Sequence, residues 1–104
     1  MKAPKHLERE TARWFEQVLK DYELSGHHIR LLTLASESWD RCQQARKVLA
    51  KQGMIYVDRW DQPRARPEVS IERDNRIAFA RLLRELNLDS EEPPESPRPQ
   101  ALRY

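Results

Sequence analysis

Residues 27–52, HHIRLLTLASESWDRCQQARKVLAKQ, decide the fold. Leu32, Ala35, Trp39, Cys42 and Leu49 recur at helical spacing, and Leu31, Leu34, Ala45 and Val48 widen the same stripe. That period of 3–4 predicts one long amphipathic helix. Lys47 and Lys51 sit in its last turns, where cations complement the helix dipole, and Gly53 closes it. At about 1.5 Å per residue this helix is roughly 39 Å long, more than a small globule is wide. A helix longer than its own domain, with a wide apolar stripe, is commonly covered by a partner chain, so a homo-oligomer is expected.

Upstream, from about Glu8, the positions Ala12, Phe15, Val18, Leu19 and Tyr22 predict a first amphipathic helix. It is expected to stop at Ser25-Gly26, Gly supplying a left-handed cap and Ser capping the next helix. Residues 1–7 read as a flexible arm. Downstream, Met54-Ile55-Tyr56-Val57 is β-branched and aromatic and too short for a helix, and Asp61-Gln62-Pro63 reads as a turn. A short hairpin over about 54–66 follows. Pro67-Glu68 then opens a third helix, with proline in the first turn where its missing N–H costs nothing. Ile71, Ala78, Phe79, Leu82, Leu83 and Leu86 form its apolar face. From Asp89 the sequence DSEEPPESPRPQALRY carries four of the seven prolines and reads as a mostly disordered acidic tail. The expected class is mainly α: three helices, the second long, with a hairpin between helices two and three, in one domain over 8–88.

Composition excludes much chemistry. One cysteine among 104 residues permits neither an internal disulfide nor an intrachain Cys-based zinc site. Two glycines leave no Gly-rich phosphate loop. No apolar run approaches a membrane span and the start lacks a signal-peptide core, so a soluble, cytoplasmic protein is expected. His27 and His28 are helix neighbours about 100° apart and cannot chelate one ion as an i, i+4 pair can. Cys42, on the stripe with Trp39, reads as a small buried hydrophobe rather than a nucleophile. Glu37 and Asp40 read as exposed acids ion-paired beside Arg41, not as a nuclease centre. No metal or cofactor is expected.

The net charge of +2 conceals a segregation. Residues 1–40 carry net −1, residues 41–84 net +6 and residues 85–104 net −3. Arg outnumbers Lys fourteen to five, which favours planar, bidentate contacts. Arg59, Arg64 and Arg66 lie in or beside the hairpin, interleaved with Tyr56 and Trp60, and Arg73, Arg76, Arg81 and Arg84 lie on the third helix. Guanidinium forks beside a helix N-terminus suit phosphate, so a nucleic-acid partner is one reading and a solvated helix face is the other.

Several ordered strings resemble the small terminase subunits of tailed double-stranded-DNA phages and prophages. They are Tyr22-Glu23-Leu24; His27-His28-Ile29-Arg30-Leu31-Leu32-Thr33-Leu34-Ala35 leading into Glu37 and Trp39-Asp40-Arg41; Gly53; and Asp58-Arg59. They continue with Gln62-Pro63-Arg64-Ala65 before Pro67, and Ile71-Glu72-Arg73-Asp74 before Phe79-Ala80-Arg81-Leu82-Leu83. The resemblance runs from about His6 to Leu88. It departs at Asp61 and Arg66, where the family pattern has a turn glycine and a histidine before the proline. It implies a non-enzymatic, cofactor-free packaging factor in the bacterial host cytoplasm. Such a factor assembles as a ring of side-by-side subunits, recognises viral DNA at the packaging start site, and delivers it to the large terminase subunit, which is the ATPase and nuclease. On that reading Lys51, Arg59, Arg64, Arg66, Arg73 and Arg76 contact DNA, and Leu32, Ala35, Trp39, Leu49, Phe79 and Leu82 form the core or subunit interface. Leu102 and Tyr104 in the tail then dock the large subunit. The alternatives are a small helix-turn-helix regulator, given the short Leu24–His28 junction, and a helical adaptor whose arginines only solubilise.

Overall fold

The computed structural model describes residues 2–88. Three helices, α1 (Arg9–Asp21), α2 (Gly26–Gln52) and α3 (Pro67–Leu86), enclose a hairpin of β1 (Ile55–Val57) and β2 (Pro63–Ala65). The expected class and element order are both observed. Among the described residues no helix is long and apolar enough to cross a membrane.

α2 and α3 run antiparallel, which Trp39 against Phe79 and Cys42 against Glu72 register along their length. α1 packs across one end of this pair. Phe15 and Val18 from α1, Leu32 and Ala35 from α2 and Leu86 from α3 form the buried cluster there. Beyond Ala45 no described residue is fully buried until Leu86, so the distal half of the pair and the hairpin project from the core as an arm. The body is accordingly elongated, 58 × 34 × 20 Å.

Four expectations are corrected. Residues 1–7 are not a free arm: Leu7 is buried and Ala3 packs on the cluster. The Ala3 N–H donates to Glu16 at 2.9 Å, and His6 pairs with Glu37 at 2.7 Å. The apolar gain from covering α1 holds the segment down. Gly26 supplies no left-handed cap either. α1 ends through an extended Tyr22, whose N–H still reaches Val18 O, and Gly26 is the first residue of α2. The left-handed glycine is Gly53, at φ 85°, where α2 stops.

Asp40 is not an exposed acid beside Arg41. It is 3% exposed and faces the start of α1, accepting the Glu8 N–H at 2.9 Å and the Thr11 hydroxyl at 2.5 Å. Glu8 makes no side-chain cap of its own, so a carboxylate from α2 caps α1 across the interface. Lastly, the hairpin turn lies earlier than Asp61-Gln62-Pro63. The chain reverses over Asp58–Asp61, and Pro63 already belongs to β2.

Candidate nucleic-acid interface

The hairpin at the tip of the arm is built around Asp58. Its Oδ1 accepts the Trp60 and Gln62 N–H groups at 2.9 and 3.0 Å, and its Oδ2 accepts Arg64 Nε at 2.9 Å. Asp61 takes the left-handed conformation, φ 62°, that closes the turn. The Gln62 N–H, then Arg64 and the Trp60 N–H, hold the Asp58 carboxyl below its ordinary range against a smaller opposing effect of desolvation.

The register sets Ile55 opposite Ala65, Tyr56 opposite Arg64 and Val57 opposite Pro63. Arg66 N–H donates to Met54 O and Asp58 N–H to Gln62 O, which makes the even-numbered pairs the hydrogen-bonded ones. Side chains alternate across a strand, so the hairpin has two unlike faces. Ile55, Val57, Pro63 and Ala65 share one, which is wholly apolar and exposed, with Ile55 at 60% and Val57 at 61%. Tyr56, Asp58, Arg64 and Arg66 share the other. The backbone N–H and C=O groups of Ile55 and Val57 point away from β2 as an open edge. The opposite edge is blunted by Pro63, which has no N–H.

On the polar face the Arg66 guanidinium lies over the Tyr56 ring at 5.7 Å, and beside the turn Arg59 lies over Trp60 at 4.6 Å. Trp60 is 66% exposed. Arg66 is also the residue before α3, and its Nε is buried without a hydrogen-bond partner among the described residues, which leaves the outer guanidinium nitrogens to meet a ligand. Two arginines stacked on aromatic rings, with no ion pair among the described residues, form a surface that can grip phosphate while presenting ring faces to bases or sugars.

The six basic residues named from the sequence are not equivalent. Lys51, Arg59 and Arg66 make no ion pair among the described residues, whereas Arg64 is committed to Asp58, Arg73 to Asp74 at 3.3 Å and Arg76 to Glu72 at 3.2 Å. Lys51 ends α2 and is exposed. Of the residues assigned to core or interface, Leu32 and Ala35 are fully buried, while Leu49, Phe79 and Leu82 are half-buried. Trp39 sits at the rim, its ring 5.0 Å from Phe79. Leu102 and Tyr104 lie outside the described residues.

Two residues have partners that the sequence reading did not assign. Glu72 is a hub: its Oε2 accepts Arg46 Nε at 3.0 Å and Arg76 Nε, and the buried Cys42 thiol at 3.6 Å. The Arg46 bond, followed by Arg76, depresses the Glu72 carboxyl, and burial pushes the Cys42 thiol up. The i, i+4 spacing announces Glu72–Arg76, but nothing local announces Arg46. Ser25, expected to cap α2, is the second: it stands at the N-cap position but makes no side-chain cap hydrogen bond. Its hydroxyl meets Nδ1 of His27 at 3.1 Å and of His28 at 2.8 Å, and the two rings lie 4.1 Å apart. Desolvation, then the neighbouring His27, lowers the His28 pKa. Among the described residues no group of three His, Cys, Asp or Glu side chains is placed to hold a metal. Comparison of the chain with protein-family models, with curated proteins and with solved structures finds no match in any of the three.

Proposed function

We propose that this chain is a DNA-packaging factor of the small-terminase-subunit type. It binds viral duplex DNA at the packaging start site, assembles as a ring, and hands the DNA to a large ATPase/nuclease subunit. The ordered strings from Tyr22-Glu23-Leu24 to Phe79-Ala80-Arg81-Leu82-Leu83 motivate the family. The observation that carries the nucleic-acid reading is the two-faced hairpin, with Arg66 on Tyr56 and Arg59 on exposed Trp60.

The mechanism divides the hairpin by face. The basic, aromatic face contacts the phosphate backbone through Arg59 and Arg66, with Lys51 adjacent in sequence at the end of α2. Arg64, Arg73 and Arg76 contribute only by exchanging a carboxylate for a phosphate, so each adds less. The apolar face and the outward Leu34 and Ile77 are the surfaces that supply subunit contacts, because exposed apolar patches of this kind favour burial against protein. Repetition around a ring multiplies a weak site, which makes affinity steeply salt-dependent.

Fluorescence anisotropy with labelled duplex, at several salt concentrations, tests the DNA reading. Affinity is expected to fall by roughly 10-fold or more between 50 and 200 mM salt. Arg59→Ala with Arg66→Ala is expected to weaken binding by ~10-fold at low salt, and Arg73→Ala by no more than ~3-fold. Binding that ignores both salt and the double substitution favours the helical adaptor. Light scattering on the same samples tests assembly, and a monomer at micromolar concentration rules out the ring.

A further inference from the structure

Every residue of β1 and β2 is exposed, so the hairpin stands at the tip of the arm as an unsupported pair of three-residue strands. A lone two-stranded hairpin is marginal in water, and stability on its own takes three or more strands with an apolar face. The cross-strand bonds fall on the even-numbered residues of the first strand, which leaves the N–H and C=O groups of Ile55 and Val57 directed outward. None of the devices that usually blunt such an edge lies on it. Met54-Ile55-Tyr56-Val57 holds neither a charge nor a proline.

We infer that β1 pairs edge to edge with β1 of a second copy of this chain, antiparallel about a two-fold axis at Tyr56, to form a four-stranded sheet. The outward groups fix the register. With Ile55 opposite Val57 of the second copy, and Val57 opposite its Ile55, both residues of each edge are engaged. Centring the pair on Ile55 or on Val57 engages only one of them within β1. Tyr56 then faces Tyr56 as the non-hydrogen-bonded pair, and Asp58 falls opposite Met54, so no like charges meet across the axis.

The same groups select the occupant. The other edge of the hairpin presents Pro63, which has no N–H to give, so among the described strands only β1 of a second copy complements β1 in full. Side chains directly opposite in a sheet share a face. Ile55, Val57, Pro63 and Ala65 of both copies therefore merge into one apolar face, and the two Tyr56–Arg66 stacks lie together on the other. The contact is isologous and closes on itself. It joins copies in pairs, leaves closure of a ring to the apolar surfaces, and rests on neither the ring reading nor the nucleic-acid reading.

Amide exchange on the full chain tests the pairing. At millimolar concentration the Ile55 and Val57 amides are expected to exchange ~10-fold or more below unfolded-chain rates, although neither N–H is bonded within the hairpin. Val57→Pro removes one outward N–H and no bond between β1 and β2. It should return Ile55 to the unfolded-chain rate and halve the particle mass measured by light scattering. Thiol coupling tests the register, because Cys42 is buried and does not compete. Facing Cα atoms of a non-hydrogen-bonded pair stand about 4.5 Å apart, within disulfide reach, so Tyr56→Cys chains should couple ~10-fold faster than Trp60→Cys chains. Edge amides at unfolded-chain rates, or a mass that Val57→Pro leaves unchanged, overturn the pairing. A ring that persists in that case stands without it. Tyr56→Cys coupling no faster than that of Trp60→Cys overturns the register. Protected edge amides in a particle of only two subunits uphold the pairing and overturn the ring.

Discussion

Asp40 illustrates how much one side chain decides here. Reading along the sequence, it is an acid next to Arg41 on a polar helix. In the fold its carboxylate closes the N-terminus of α1, satisfying the Glu8 N–H and the Thr11 hydroxyl. Two charge-assisted bonds in a buried setting exceed any surface ion pair, so Asp40→Ala is expected to cost about 2–4 kcal/mol. Chemical denaturation measures this, and a loss below about 0.5 kcal/mol contradicts the capping role. Asp40→Asn, which keeps an acceptor for one of the two donors, should fall between wild type and alanine. Nothing within a turn or two of Asp40 signals its role, because its partners lie about 30 residues earlier.

At the scale of the elements, helices were legible and the hairpin only half so. The 3.6-residue stripe, Pro67 in a first turn and Gly53 past a last one all act locally. α2 consequently begins and ends within a residue of expectation, and α3 begins at Pro67 as expected. The hairpin was placed correctly, yet its turn was displaced because Asp58 outcompetes Pro63 as organiser, taking two N–H groups on one oxygen. Asp61 then occupies a left-handed position that glycine adopts without steric cost. Asp61→Gly is therefore expected to stabilise the hairpin by about 0.5–1 kcal/mol. The readout is slower amide exchange, by about 2–5-fold, at Asp58 and Arg66, whose N–H groups bond across the strands. Faster exchange would show that the turn depends on Asp61 in another way.

For the whole molecule, the shifted groups act together on the acid side. His28 lies below its ordinary 6.5 in the folded chain. The unfolded chain therefore binds that proton first, and stability falls as pH drops through about 6.5. Asp58 and Glu72 lie below their ordinary 3.8 and 4.5, so their contributions hold above those values and disappear as pH falls beneath them. Cys42 lies above its ordinary 9.0, so its contribution is whole below 9.0 and is lost as pH rises from there through the raised value. Thermal melts are expected to plateau from about pH 7 to 8.5 and to decline stepwise below. His28→Gln should remove the first acid step. A melting temperature that rises from pH 7 to pH 4 would contradict this assignment.

The sequence alone determined the order of the elements, the extent of the two long helices, the apolar residues Leu32, Ala35 and Phe15 that fill the core, and the segregation of positive charge into residues 41–84. These follow from interactions within a few residues, where periodicity and capping chemistry operate. Tertiary structure alone decided that Leu7 is held down, that Asp40 is buried, and that Glu72 gathers Arg46 with Arg76. It also decided which arginines are ion-paired among the described residues. The physical reason is range. A carboxylate's partner is chosen by whichever donor the fold brings within 3 Å, and the faces of a hairpin are chosen by which cross-strand pairs exchange hydrogen bonds. A shift of one residue in that register would have set Tyr56 opposite Ala65 and Arg66 opposite Ile55, parting Tyr56 and Arg66 to opposite faces.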